Sequence, residues 1–219
     1  MSQQTKQPTN FGALGTLVTV FFFWGFIAAS NSIFIPFCKS HFALSQFESQ
    51  LVGSAFYGAY FIGSLILFLV SNVLGYDILN KIGYKRGIIY GLLISVAGAL
   101  LMLPSANANS FPALLASLFV IALGFSLQQT AAQPFAISLG DPATGSHRLN
   151  LGGGVNSLGT TLGPIIVSFF LFGSVGASDT VVTVTNINTL YLIVAGVFFT
   201  VAMFFLFSKL PSGKNDEKF

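Results

Sequence analysis

Charge is what this chain has least of. Only 7% of its 219 residues are Asp, Glu, Lys or Arg, against about 25% in ordinary soluble domains. That scarcity excludes a solvated globular surface. Cysteine occurs once, at Cys38, so no disulfide framework exists. The lone thiol reads as a small packing residue. The two histidines, His41 and His147, are far apart and have no acidic or thiol neighbours at ligand spacing. No metal site is assigned. No apolar stretch carries a Ser/His, His/Glu or paired Asp set, which speaks against an intramembrane enzyme. There is no low-complexity segment.

What fills the chain instead is apolar. Hydrophobic residues make up 53% and aromatics 15%, with a mean hydropathy of +0.80. Six runs approach or exceed the roughly 20 residues a bilayer helix needs: 11–35, 46–74, 84–103, 111–139, 147–172 and 189–207. None has a charge near its middle, and Glu48 sits only at the edge of the second. The pattern predicts an all-α membrane protein with six transmembrane helices. The formal charge of +3 taken alone suggests nucleic acid, but the positions of the charges exclude that partner. If the chain threads alternately, Lys6, Lys81, Lys85, Arg86, Arg148, Lys209, Lys214 and Lys218 fall on one side, and Lys39 alone on the other. Under the positive-inside rule both termini are then cytoplasmic. The first run is too long for a cleavable signal, although Ala28-Ala29-Ser30 faintly mimics a cleavage site.

Helix boundaries are marked by capping and breaking residues. Ser45-Gln46-Phe47-Glu48 is a capping box opening the second helix. Ser110 reads as the cap of the fourth, with Pro112 in its first turn. Pro104 closes the third, Gly140-Asp141-Pro142 the fourth, Gly173 the fifth, and Pro211 follows the sixth. Residues 1–10 form a tail, 11–208 the bundle, and 209–219 a charged tail of linker character. Within 175–188 the VVTVT run alternates weakly. Small residues at every fourth position mark close helix packing: Gly87, Gly91, Ser95 and Ala99 on the third helix, Ser54 and Gly58 on the second, Gly159 and Gly163 on the fifth.

Polar groups at membrane depth carry the functional signal. In SLQQTAAQPF, Gln128, Gln129 and Gln133 follow an almost unbroken apolar run. An amide in hydrocarbon costs several kcal/mol without a partner, so these side chains face the bundle interior or a wet cavity. Gln129 and Gln133 share a helix face, and Gln128 lies about 100° away. Pro134 frees a carbonyl near Thr130, tolerated where other groups or water satisfy it. The first helix repeats the arrangement: Asn31 precedes Pro36 as Gln129 precedes Pro134, by five residues. Gly25-Phe26 and Gly124-Phe125 correspond with a one-residue shift. The first three helices and the last three thus read as two repeats, inverted because each has an odd number of spans. The fifth helix adds the glycines at 152, 153 and 154, Asn156 with Thr160 one turn on, and Gly163-Pro164. Tyr57, Tyr60 and Phe61 lie on the second helix, and Trp24 shares a face with Asn31. Amides, hydroxyls and aromatic faces without charge suit a neutral polyol. The alternative is that Asn31, Gln129 and Asn156 merely bond one another between helices, and that Trp24 is plain core.

GYDILNKIGYKRG, between the second and third helices, resembles the cytoplasmic signature of the major facilitator superfamily, G-x-x-x-D-(R/K)-x-G-x-(R/K)-(R/K). Lys81, Gly83, Lys85 and Arg86 match. Asn80 stands at the acidic position, Asp77 lies a turn earlier, and the first glycine is displaced to Gly75. FFFWGFIAASNSIFIP, SAFYGAYFIGS, LQQTAAQPF and HRLNLGGGVNSLGTTLGP are similar to the fucose permease and glucose/galactose transporter branch of that family. The resemblance implies six-helix halves, a central sugar site and cation-coupled uptake across a bacterial inner membrane. It implies a cytoplasmic gating role for Asp77, Asn80, Lys81, Gly83, Lys85 and Arg86. Fucose permeases carry acidic residues at the positions of Ser32 and Gln129, and a glutamine at Gly153. Neither Ser32 nor Gln129 protonates near neutral pH, which leaves Na+ coupling, or coupling through groups elsewhere. No organic cofactor is implied.

The expected site therefore comprises Asn31, Gln128, Gln129, Gln133 and Asn156, with Trp24 and Tyr57 packing on the sugar. The family has twelve helices, so the expectation is one amino-terminal half of a glucose/galactose-type transporter. Its second half is a separate chain, missing sequence or another copy. The alternative is a non-transporting remnant or scaffold without its partner half.

Overall fold

In a computed structural model of the chain, residues 8–172, 183–208 and 210 are described, without the side chains of residues 31, 33, 171 and 172. The expectations placed on both tails and on Gly173 lie outside the described residues. The helices are α1 Phe11–His41, α2 Gln46–Leu74, α3 Ile78–Ile82, α4 Tyr84–Asn107, α5 Phe111–Ser138, α6 Gly145–Phe172 and α7 Val184–Phe207. A 3-10 turn, Pro142–Thr144, links α5 to α6. Among the described residues five helices, α1, α2, α4, α5 and α7, are long and apolar enough to cross a membrane. α6 has 28 residues but is not among them, and glycine, serine and asparagine make up much of its first half.

Several boundaries follow local chemistry. Ser45 and Glu48 form the capping box: Glu48 N donates to Ser45 Oγ at 3.2 Å and Ser45 N to Glu48 Oε2 at 2.8 Å. Ser110 stands at the N-cap of α5 with Pro112 in the first turn, as expected, but its side chain makes no cap bond. Asn10 does cap α1, accepting from Ala13 N at 3.0 Å. Pro104 lies inside α4 instead of ending it, and Pro36 lies inside α1. A proline removes one donor but keeps its carbonyl, and Pro104 O accepts from Ala108 N at 2.9 Å. Such interruptions are tolerated in membrane-type helices. α7 starts five residues earlier than the 189 expected, and Val184 and Thr185 of the VVTVT run are helical.

Packing follows the small residues. α1 lies along α6, α4 along α5 and α7, and α2 along α5. α1 therefore meets α6 as α5 meets α2, the exchange two equivalent three-helix units would produce. On the α1–α6 seam, a Cβ on Gly25 would stand 2.0 Å from Asn156 O, and one on Gly159 2.1 Å from Phe22 O. On the α4–α5 seam, a Cβ on Gly124 would stand 2.2 Å from Ser95 Oγ. Ser54 is exposed and a Cβ on Gly58 would meet nothing within 4 Å, so that expected pair packs on no helix of this chain. Outward faces of α2, α4 and α7 carry large apolar side chains such as Ile66, Leu100, Leu192 and Phe204. A surface this apolar belongs against lipid or another protein.

The two ends of the bundle differ. Lys81, Lys85, Arg86 and Arg148 gather where α2 and α5 end and α4 and α6 begin, and Lys39 lies at the opposite end. At the basic end Asn10 N donates to Leu139 O at 2.8 Å, tying the start of α1 to the end of α5. At the other end His41 Nε2 and Asn109 Oδ1 are 2.8 Å apart, joining the α1–α2 corner to the α4–α5 corner.

Candidate substrate groove

Adjacent glutamines on α5 have opposite fates. Gln128 is 1% exposed. Its Oε1 accepts from Trp24 Nε1 at 3.3 Å, and its Nε2 donates to Ser95 Oγ at 3.0 Å. Gln129, about 100° round the helix, lines an open concavity of about 350 Å³ with Ser64, Ser126, Thr130 and Gln133. Gln129 is half-buried and Gln133 exposed. Among the described residues neither makes a side-chain hydrogen bond. Their amides remain free to donate and accept.

The walls of this concavity are fixed by hydroxyls. Ser64 of α2 and Ser126 of α5 are 3.0 Å apart at Oγ, and Ser126 Oγ donates to Tyr60 O at 3.2 Å. Ser64 therefore donates to Ser126, because a hydroxyl has one hydrogen. Gly63 allows this approach, since a Cβ there would lie 2.7 Å from Ser126 Oγ. Thr130 Oγ1 donates back to Ser126 O at 2.9 Å. Through Ser64 and Thr130 the concavity continues into a second, of about 550 Å³, reaching Asn72 and Asp77 at the basic end.

The other expected site residues are divided. Tyr57 is 62% exposed on α2, edge-on to Phe56. Asn156 is half-buried, and its Nδ2 donates to Phe21 O at 3.0 Å, so it pins α6 to α1. Trp24, 5% exposed, lies against Phe21 with ring centroids 4.6 Å apart. Trp24 and Gln128 therefore meet each other inside the bundle, not a common open face with Gln129. Asn31 lies on α1, and its side chain is outside the described part of the structure. Ser32 is exposed and donates to Ala29 O at 2.7 Å.

At the basic end, two of the three glycines of the GYDILNKIGYKRG segment have positive φ: Gly75 at 69° and Gly83 at 90°. Only glycine adopts these turns without strain, which explains the displaced first glycine. Asp77 caps α3, accepting from Leu79 N at 2.8 Å. Tyr84 Oη donates to Asn80 Oδ1 at 2.6 Å, and Lys81 Nζ stands 4.4 Å over the Tyr76 ring. Lys85 Nζ donates to Leu206 O at 3.3 Å and Ser208 O at 2.7 Å, closing the end of α7. Within the described residues it is thus Lys85, and not Asp77, that meets a neighbouring long helix's end. Arg86 is exposed.

One structural residue escaped notice in the sequence. Arg148 is 3% exposed, and its guanidinium reaches backbone carbonyls of Ala136, Ile137 and Asp141 and the hydroxyls of Thr144 and Thr9. The only signal was its place two turns after a GDP helix stop.

A family model described as Major Facilitator Superfamily matches residues 13–219. The chain is 35% identical over 215 residues to a glucose/galactose transporter of Brucella abortus, covering 98% of this chain and 50% of that one. It is 38% identical over 174 residues to a putative glucose/galactose transporter of Helicobacter pylori, covering 80% and 40%. It is 30% identical over 216 residues to the L-fucose-proton symporter of Escherichia coli, covering 92% and 48%. Among solved structures, a variant of the E. coli fucose:proton symporter FucP superposes with a TM-score of 0.75 at 26% identity, over 96% of this chain and 53% of that one. FucP in the outward conformation superposes at 0.72 and 28% identity, over 93% and 52%. The chain spans about half the length of the curated relatives it matches.

Proposed function

The chain belongs to the Major Facilitator Superfamily, homologous to glucose/galactose transporters and to FucP, and from that premise we propose that it serves secondary active transport of a neutral hexose, as one half of the transporter. The sugar is of the glucose/galactose type, the membrane is a cell's inner membrane, and access alternates as the halves rock. The six long helices all span, as two inverted repeats, with the basic end cytoplasmic. The other wall of the cavity comes from a second six-helix half: a separate chain, further sequence or another copy. The family's members here are transporters, not enzymes.

The observation that carries this reading is the Gln129–Gln133 pair, uncharged and unpartnered, on a polar concavity between α2 and α5. A neutral polyol can use both the donors and the acceptors of such amides. Gln129, Gln133 and Tyr57 are the residues that face the sugar, with Asn31 and Asn156 contributed from α1 and α6. Coupling uses a Na+ gradient or groups elsewhere, since neither Ser32 nor Gln129 titrates near neutral pH.

The test is sugar counterflow in proteoliposomes holding the transporter that contains this chain, with labelled D-galactose or D-glucose, with and without Na+. Gln129→Ala is expected to reduce exchange to background while inserting normally. Undiminished exchange removes Gln129 from the site. Absence of exchange in the parent protein favours the non-transporting remnant instead.

A further inference from the structure

The bundle divides into two packing groups. α1 and α6 form one, and α2, α4, α5 and α7 the other. Contact between the groups is much thinner than contact within them. Arg148 bridges them at the basic end and His41 with Asn109 at the opposite end. Between these lies a third polar bridge, from Trp24 of α1 to Gln128 of α5. The proposed sugar residues are divided between the same two groups: Asn156 on one, Gln129, Gln133 and Tyr57 on the other.

We propose that Gln128 is a positioning residue, whose amide joins Trp24 of the α1–α6 group to Ser95 of the second group and so sets the distance of Asn156 on the first group from Gln129 and Gln133 on the second. Its hydrogen bonds have one possible direction. The indole N–H of Trp24 can only donate, so it must meet Gln128 Oε1. Ser95 Oγ donates to Ile121 O at 3.0 Å, which leaves its lone pairs to accept from Gln128 Nε2. Flipping the amide would face donor to donor and acceptor to no donor. Gly91 makes room for the chain, since a Cβ there would stand 2.6 Å from Gln128 Cγ. With both polar atoms engaged and the side chain buried, Gln128 has nothing left to offer a sugar. Its neighbour Gln129 has all of its amide to offer.

Gln128→Met keeps length and bulk and removes both hydrogen bonds. Trp24→Phe removes one from the other side and keeps an aromatic ring against Phe21. Spin labels at Thr130→Cys on α5 and Thr161→Cys on α6, both exposed sites, report the separation of the groups. Cys38, the one native cysteine, is replaced by alanine. The proposal expects a narrow electron–electron distance distribution in the parent and a broadened one in Gln128→Met. Trp24→Phe broadens it in the same way, and the double variant adds nothing, because both changes break one link. A Gln128→Met distribution superposing on the parent's overturns the proposal, and Trp24→Phe decides if Gln128→Met does not fold.

A second arm rests on the sugar reading above. Affinity for D-galactose or D-glucose should fall about fivefold in each single variant, as for one net hydrogen bond lost. Unchanged affinity beside a broadened distribution overturns the positioning role. So does loss of binding in Gln128→Met alone, with Trp24→Phe and Ser95→Ala unaffected, since that pattern belongs to a direct ligand. If the parent binds neither sugar, the functional reading fails and the distance measurement decides alone.

Discussion

Replacing Arg148 by Met should be among the most damaging single changes in this chain. Ala136 O and Ile137 O belong to the last turn of α5, where helix carbonyls have no partner of their own. Arg148 Nε reaches the first at 2.7 Å, and one Nη reaches the second at 2.7 Å and Asp141 O at 2.9 Å. The other Nη meets Thr144 Oγ1 at 2.9 Å and Thr9 Oγ1 at 3.4 Å. Met fills similar space and leaves the three carbonyls without these donors. Asp141 O still accepts from Thr144 N and Oγ1, so at about 1 kcal/mol net for each of the other two the loss is about 2 kcal/mol. Removing a cation from the end of a helix dipole adds roughly 0.5–1 kcal/mol. The hydroxyls add little, since Thr144 already donates to Asp141 O and loses only an incoming bond. Arg148→Lys keeps the charge and fewer of the contacts, so it should fall between Met and the parent. The assay is SDS-driven unfolding from detergent micelles followed by circular dichroism. Amide exchange should rise at 8–12 and 135–145, and not in the middle of α4. A Met variant within about 1 kcal/mol of the parent, below even one such bond, or a Lys variant as poor as Met, would refute the account.

Gly25→Ala should force α1 from α6, because its Cβ would stand 2.0 Å from Asn156 O. An overpacking cost of about 1–3 kcal/mol is expected, read as a lower SDS midpoint, and an unchanged midpoint would mean the seam is looser than described. Lys85→Ala should fray the last turn of α7 by removing the donor to Leu206 O and Ser208 O. Amide exchange should rise over 204–208 and be restored by Lys85→Arg; no rise would show that α7 ends without that cap.

Much of the scaffold was legible because its signals are local. The capping box at Ser45 and Glu48 needs only four residues, and α2 has the expected bounds. Gly91 with Ser95, and Gly159 with Gly163, lie on helix seams as small-residue spacing predicts. Proline misled where its usual meaning failed: Pro104 sits within α4, which runs on to Asn107. The site was legible in kind but not in direction. Periodicity says that Gln128 and Gln129 point about 100° apart, but not which faces the groove. That depends on Ser95 and Trp24, distant in sequence, offering an acceptor and a donor to one of them. Arg148 was read as a topological charge because nothing near it in sequence shows the carbonyls it binds.

The hydroxyls sort the chemistry of the groove further. Ser157, Thr160 and Thr161 donate to the carbonyls of Gly153, Asn156 and Ser157, one turn back on α6. Thr130 does the same on α5, and Ser64 donates to Ser126. Each of these oxygens has already given its hydrogen, so toward a ligand it can only accept. Within the concavity itself, lined by Ser64, Ser126, Gln129, Thr130 and Gln133, donors must come from the amides of Gln129 and Gln133. A carboxylate or phosphate would meet a surface of lone pairs with no cation among the residues described as lining the concavity, and desolvating it there would go uncompensated. A polyol brings its own hydrogens to those lone pairs and needs few donors in return. On this reasoning Gln129→Ala removes half of the amide donors the concavity offers, while Thr130→Val removes an acceptor among several. The first change should therefore weaken sugar binding far more than the second. Equal effects would mean that hydroxyl geometry, and not the amide pair, holds the ligand.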